Sequence, residues 1–383
     1  MNINFFNFKK KAEPQASEPE TITYNQDVVQ GFSLSMYTDL PIVEEVRNKE
    51  WVPYGADNLY PDFLMDMYNS SPTHQAIVRT KSQMVVGQGF TVEDSHLSES
   101  DKINALKIID DIVEDIYDTS LDQQIYGAFA YEIIWSLDFS KVVEVNRIEV
   151  KQLRSGKFEE GKIEEYYYSR DWNTNRPEVT CIYSLDKWSK EHHRQVLYVP
   201  AQMVTNEYYG DPSYFGAMDW ITLESQTGLY YRSLIENGFN PSVVIKFFRK
   251  PTSLEERSDI VNGLKRSFGG VKNSGKAVVL FSDGKELAPE ITPIDVASVD
   301  KQFTVIASQI TEKIITGHQV TTSELFGVAV PGQLGTGDFA IKVKAFNKFV
   351  IVPQQRILER AINTILKLNG FDIKFKLNPF TLD

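Results

Sequence analysis

Seven residues, Gly270, Val271, Lys272, Asn273, Ser274, Gly275 and Lys276, have the G-x-x-x-x-G-K spacing with which a backbone loop cradles phosphates. The chemistry fails at two points. Residue 277 is alanine, so the hydroxyl that would hold magnesium is missing. The segment also leads from a helical pattern into a strand pattern, whereas the phosphate loop needs a strand feeding a helix N-terminus. An exposed helix-to-strand turn is the better reading. His192 and His193 are adjacent, so on a strand they point to opposite faces and cannot share one metal ion; they read as a solvated pair. His74, His96 and His318 are isolated, and His74 falls at core spacing, where a hydrogen-bonded buried or boundary histidine is expected. Cys181, the one cysteine, can close no disulfide within the chain and build no thiolate zinc cluster. Neither G-x-S-x-G nor H-E-x-x-H occurs. Tyr166, Tyr167, Tyr168 and Trp172 could stack bases, but read better as half-buried strand aromatics. No catalytic residue, metal or cofactor is expected.

The elements that would position any function are well marked. In 383 residues, 42% are hydrophobic and 24% charged, enough for a sizeable core in one elongated or two to three compact domains. Forty bases against 52 acids leave a net charge of −12, the wrong sign for coating nucleic acid by phosphate neutralisation. No apolar run approaches the ~20 residues of a membrane span. Ile3, Phe5, Phe6 and Phe8 precede Lys9 to Lys11, the reverse of a secretory signal, so a soluble chain that is not exported is expected. Residues 1–30, rich in Lys, Glu, Pro, Gln and Ser beyond residue 9, read as a mobile arm.

From Trp51, a turn-rich stretch leads into helix with Leu64, Met67, Tyr68, His74, Ile77, Val78, Lys81, Met84 and Val85 at spacings of three and four. A single helix over about 98–119 is expected to bury Ile103, Leu106, Ile109, Ile112, Val113 and Ile116 and to expose an acidic face. Short β-type runs over 125–200 predict a mainly antiparallel sheet. A long helix opens near Pro212 and closes at Gly238. A strand, helix, strand unit follows: SVVIKFF, TSLEERSDIVNGLKRSF and KAVVLF. Next come a helix over 300–316 with Phe303, Ile306, Ile310 and Ile314 in a stripe, a loop to about 337, and a helix over 339–368 in which Pro353 predicts a kink.

Two helices thus flank a small αβ knob. The knob is basic: residues 246–276 carry eight Lys or Arg, Lys246, Arg249, Lys250, Lys265, Arg266, Lys272 and Lys276 among them, and three acids. Such segregation suits an end that docks an acidic partner or skirts phosphates, and chance patterning on a solvated surface explains it as well.

In this order, the stretches YGADNLYPDFLMDMYNSSPTHQAIVRTKSQMVVGQGF, YYGDPSYFGAMDWITLESQTGLYYRSLIENGFNPSVVIKF, SGKAVVLF and VDKQFTVIASQITEKIITGHQVTTSELFGVAVPGQLGTGDFAIKVKAFNKFVIVPQQRILERAI resemble the portal proteins of tailed bacteriophages, near the HK97-like and defective-prophage branch. The resemblance covers about Trp51 to Phe375. It implies an α+β portal fold that assembles as a ring, usually of about twelve copies, around a DNA tunnel: wing (31–210), stem helix (213–238), clip (241–292), stem helix (298–317), tunnel loop (318–337), then a kinked wing helix and C-terminal strand (338–383). The chain ends soon after FDIKFKLN, leaving no room for the helical crown of many relatives.

The implied function is non-enzymatic, a conduit at one capsid vertex for packaging, retaining and ejecting double-stranded DNA. Implied partners are further copies of the chain, the terminase large subunit, a head-completion or tail adaptor protein and the major capsid protein, with no membrane. The implied location is the virion, and the host cytoplasm during assembly. In the loop, Val328, Pro331, Gln333, Leu334 and Thr336 are expected to contact DNA, with Lys342, Lys344 and Lys348 as a basic belt; the knob lysines and arginines are expected to dock the partner. Alternatives are a nucleic-acid-processing enzyme and a portal-like structural adaptor without a tunnel.

Overall fold

The computed structural model describes residues 21–24, 27–30, 41–94, 97–174, 176–185, 192–236, 243–247, 259, 278–281, 290–293, 299–327 and 339–381. The chain divides into two units, Met1–Tyr37 with Gln226–Thr304, and Thr38–Ser225 with Val305–Asp383. The divisions at 225/226 and 304/305 fall inside long helices.

In the smaller unit, β1 (Thr21–Tyr24) and β2 (Asp27–Gln30) pair antiparallel, so part of the segment expected to be a mobile arm is a hairpin. Its TITY and DVVQ runs are rich in the β-branched residues that suit strands. This unit also holds a three-stranded sheet, described after the elements that precede it.

The larger unit opens with α1 (Tyr60–Ser70) and α2 (Pro72–Val86), each with proline in its first turn. Ser71 caps α2 by accepting from the His74 N–H. After β3 (Phe90–Asp94) come α3 (Glu99–Glu114) and α4 (Ile116–Tyr126), separated at Asp115. The single helix expected here is therefore two. The line that α3 buries is Ala105, Ile108, Ile109 and Ile112, which leaves Ile103 and Leu106 exposed, contrary to expectation. Helix α3 packs against β5, and Ile103 and Leu106 lie off its buried line.

The strands β4 (Ala128–Trp135), β5 (Val142–Ile148), β6 (Leu153–Ser155), the short β7 (Phe158–Glu159) and β8 (Lys162–Ile163), β9 (Glu165–Tyr168), β10 (Thr180–Ser184) and β11 (Arg194–Pro200) follow. Six of them form one sheet in the order β5-β4-β11-β10-β9-β6, antiparallel except for β10 and β11, as the sequence predicts. Tyr166 and Tyr167 are buried in it.

A 3-10 turn, Phe215–Ala217, precedes α5 (Met218–Glu236), so the helix starts later than Pro212 suggests. The reason is local. Asp211 accepts from the backbone N–H groups of Val204 (2.6 Å) and Thr205 (2.8 Å), and the Pro212 carbonyl accepts from Phe215 N–H (3.1 Å), which commits these residues to a turn. The smaller unit resumes with β12 (Val243–Phe247), β13 (Val278–Phe281) and β14 (Glu290–Pro293), in the order β13-β12-β14. Strands β12 and β13 are parallel, as a strand, helix, strand unit requires, whereas β14 was not foreseen. Apart from Asp259, the helix expected between β12 and β13 lies outside the described residues.

Helix α6 (Val299–Gly317) leads back to the larger unit, which ends with α7 (Phe339–Phe346), a π-helical turn (Asn347–Ile351), α8 (Val352–Leu368) and β15 (Ile373–Leu377). The π turn answers Pro353: a proline removes one helical donor, and a wider turn just before it accommodates the change. Strand β15 pairs antiparallel with β3, so the last described strand closes onto the first third of the chain.

One core runs through the larger unit. It joins Leu64, Ile77 and Val85 of α1 and α2, Ile109 of α3, Phe129 and Ile133 of β4, and Leu358, Ile362 and Ile365 of α8. Ile310 and Ile314, late in α6, enter the same core with Met218 and Ile221 of α5, while Val305 and Ile306 stay exposed. Ile310→Ala should therefore lower the stability of the chain by about 2 to 5 kcal/mol, read as a fall in melting temperature. Ile306→Ala should change it far less; equal effects would contradict this division of α6.

Candidate functional site

The described ends of the loop expected over 318–337 are tied to the core at both sides. Helix α6 stops at Gly317, where an added Cβ would collide with the Ala217 methyl group, so only glycine permits this approach. The next residue, His318, is buried, and its Nε2 lies 2.9 Å from Nδ1 of His74 on α2. His74 is buried as well and meets the Tyr214 ring edge-on, with centroids 4.4 Å apart. The Tyr214 hydroxyl donates to the Ile125 carbonyl (2.7 Å), which fixes the ring. Beyond the histidines, Phe326 packs edge-on against Phe346 of α7, centroids 5.3 Å apart, and Gly327 turns the chain with φ 67°. Thr321 donates to the Lys342 carbonyl (2.9 Å), joining the two sides of the loop.

Electrostatics at this junction follow from burial. Taking His74 out of water, with Lys81 adding repulsion, lowers its pKa to about 3. His318 is lowered well below the usual imidazole value by burial, then by His74 and Lys81. Lys81, fully buried with its Nζ 3.2 Å from Ser213 Oγ, is brought down to about 8 by desolvation. At neutral pH the two imidazoles are thus uncharged, and one donates to the other. Their outer nitrogens, His74 Nε2 and His318 Nδ1, have no hydrogen-bond partner among the described residues. Glu224 of α5 lies at the α2 N-terminus and accepts from Ser71 Oγ, Thr73 Oγ1 (2.5 Å) and Thr73 N–H (3.3 Å), placing negative charge where the helix dipole favours it.

A second buried polar cluster holds the 51–60 stretch in place. The Arg154 guanidinium is buried and donates to the Asn58 side chain (2.6 Å), the Asn58 carbonyl (2.7 Å) and the carbonyls of Lys151 (2.9 Å) and Leu153 (2.7 Å). It also lies 4.8 Å from the centre of the Trp172 ring. Asn58 has φ 68°, and its side chain accepts from Tyr54 N–H (3.0 Å), while Tyr54 stacks on Tyr209 at 3.9 Å. Trp172 therefore packs on an arginine.

Val328, Pro331, Gln333, Leu334 and Thr336 lie outside the described residues, as do Arg249, Lys250, Lys265, Arg266, Lys272 and Lys276. Lys246 is on β12, in register with Leu280 and Glu290. Lys344 and Lys348 are exposed on α7 and the π turn, whereas Lys342 is half-buried. The rings of His192 and His193 stack on Tyr183 and Phe139 respectively, on different partners as their alternation requires. Among the described residues no group of three or more His, Cys, Asp or Glu could hold a metal ion, and no helix is long and apolar enough to cross a membrane. The contact between His74 and His318 spans 244 residues, and the sequence marked only one partner, by its core spacing.

The fold is similar to that of chains in solved particle necks. A chain in the neck of an empty gene transfer agent particle, computed with C6 symmetry, matches with TM-score 0.56 and 14% identity over 83% of this chain and 84% of that one. Another, from the neck of the native particle computed with C12 symmetry, matches with TM-score 0.54 and 14% identity over 83% of each. The chain has the fold of these neck chains, of class α+β. In sequence it is 24% identical over 185 residues to the probable portal protein of Haemophilus phage HP1 (strain HP1c1), across 48% of this chain and 52% of that protein. The chain thus spans about half the length of this curated relative, which carries the same family name as the resemblance read from the residues. No protein-family profile matches.

The buried histidines make stability depend on pH. Between pH 6.5, the ordinary imidazole value, and about pH 3, the folded chain binds fewer protons at the pair than the unfolded chain. Stability from this source is complete above pH 6.5 and falls as the pH drops below it, by up to about 1.4 kcal/mol per pH unit for each histidine. The melting temperature should fall between about pH 7 and pH 5, and the His74→Gln/His318→Gln double variant should show a shallower fall. Parallel curves for the two proteins would place the titrating groups elsewhere.

Proposed function

We propose that this chain is a phage portal protein, one subunit of a ring that forms a non-enzymatic DNA conduit at a single capsid vertex. The observation that carries the reading is the likeness of fold to particle-neck chains over four fifths of the chain, and the match to a probable portal protein supports it. On this reading, residues 31–210 are the wing, 213–238 and 298–317 the stem, 241–292 the clip, and 338–383 the returning wing helix and strand. The 318–337 loop reaches the tunnel, where Val328, Pro331, Gln333, Leu334 and Thr336 touch DNA.

The anchored root of that loop supports the assignment: Gly317, His318 and Phe326 hold its start and Phe346 its return, so the intervening residues can contact DNA without loosening the core. The uncharged centre of the loop, LFGVAVPGQLG, within a chain of net charge −12 lets a duplex slide, because few cations capture phosphate. Energy for packaging comes from a separate ATPase, the terminase large subunit, docked at the clip through Lys246, Arg249, Lys250, Lys265, Arg266, Lys272 and Lys276. An adaptor protein replaces it after filling, and the major capsid protein surrounds the wing. The virion is the final location, reached by assembly in the host cytoplasm.

The purified full chain should form rings of about twelve copies with a central hole, seen by native mass spectrometry and negative-stain imaging. A monomer or dimer, or an assembly without a hole, would overturn the reading. Deleting residues 328–334 should leave the rings intact while DNA fails to pack or leaks from filled heads. If packaging and retention are both normal, the loop does not engage DNA. Reversing Lys265, Arg266 and Lys272 to Glu should preserve rings and abolish packaging; normal packaging would reduce the basic bias to solvated surface.

A further inference from the structure

Two exposed faces of the larger unit each combine large apolar side chains with charge of one predominant sign. On α3, Ile103 (67% exposed) and Leu106 (49%) lie in one helical stripe with the exposed Asp110 and Glu114. Glu99 at the start of that stripe is paired with Lys102 at 3.5 Å, and Lys107 is the one base beside it, but Asp110 and Glu114 make no ion pair among the described residues. On α7 and the π turn, Ile341 (65% exposed) and Phe349 (72%) stand beside the exposed Lys344 and Lys348. These lysines also make no ion pair among the described residues, and Lys348 Nζ lies 5.8 Å from the centre of the Phe349 ring.

Scattered exposed apolar residues need no explanation, but pairs of this size set among unpaired charges mark an interaction surface. Two large apolar side chains beside Lys344 and Lys348 also suit a protein contact better than the wall of a water-filled channel.

We propose that these two faces are the two halves of a head-to-tail contact between neighbouring copies of this chain. The acidic face of α3 receives the basic face of α7 and the π turn, with Ile103 and Leu106 against Ile341 and Phe349. The charges are complementary in sign, and the faces are different parts of one surface, which is what a heterologous contact requires. Repeated from copy to copy, such a contact closes into a ring when the rotation allows. The inference rests on the ring reading above and names the surfaces that build it.

The test reverses one face at a time. Asp110→Lys/Glu114→Lys makes both faces basic, and Lys344→Glu/Lys348→Glu makes both acidic. Each variant alone should lose assembly, read by native mass spectrometry, at concentrations where the unsubstituted chain is fully assembled. Mixed in equal amounts, the two should assemble again with alternating copies in even number, because every junction then joins unlike charges. Unfolding curves establish that each variant is folded. If a reversal disturbs folding, the neutral D110N/E114Q and K344Q/K348Q variants should each weaken assembly while remaining folded. Rings from either reversed variant alone, or a folded mixture that stays monomeric, would overturn the inference. So would a lysine-reversed chain that assembles normally but no longer retains DNA, since those lysines would then face the duplex. An unsubstituted chain that forms no ring would sink the ring reading and this contact together, whereas intact rings from a reversed variant sink the contact alone.

Discussion

The neutral pairing of His74 with His318 is the constraint around which the larger unit is arranged. Both imidazoles are buried, and a charge on either would lie beside the buried Lys81. The pair is stable only while one ring donates and the other accepts, and that requires the end of α6 to reach α2 at one register. Gly317 permits the approach by leaving room for the Ala217 methyl group, and Tyr214 covers the ring of His74. Whatever residues 328–338 do, they begin and end at points that this junction and the contact of Phe326 with Phe346 have already set.

Polar burial elsewhere follows the same logic with different chemistry. Arg154 is kept in the interior by carbonyl and amide oxygens, and burial lowers its pKa without removing its charge. Asp122, also buried, accepts two hydrogen bonds from Arg147, each of 2.9 Å. Gln355 of α8 donates to the Val85 carbonyl at the end of α2 (2.9 Å), and Asn363 exchanges hydrogen bonds with both backbone groups of Phe375 on β15 (2.8 and 2.9 Å). The Gln355 contact spans 270 residues and the Asn363 contacts tie α8 to the strand that follows it, and each would leave an unsatisfied buried group if it slipped by one residue. They define the register in which α8 and β15 close the unit.

On the proposed conduit reading, the packed unit carries the hydrogen-bonded clusters, and the proposed DNA-facing residues fall between two anchored points, Phe326 and Phe346. On the proposed reading, energy for packaging enters from a partner, which calls for recognition surfaces on this chain. The unlike charges on α3 and on α7 with the π turn provide one such surface of each sign within a chain that is acidic as a whole.

Much of the fold was legible in the sequence alone. Spacings of three and four marked α1, α2 and α6, alternation and β-branched runs marked the antiparallel sheet, and the order of four stretches carried the family resemblance. The G-x-x-x-x-G-K segment, Gly270 to Lys276, lies outside the described residues. What the tertiary structure alone decided were the partners. Periodicity over 98–119 showed that a face would be buried, but packing against β5 chose the line through Ala105, Ile108, Ile109 and Ile112, and so left Ile103 and Leu106 outside. Pro353 announced a disturbance, and its neighbours settled it as a π turn before the proline. His318 had no local signal at all, since its partner lies 244 residues away. Local pattern records which side of an element avoids water, whereas which distant group meets that side depends on the relative placement of elements, and only the folded chain determines it.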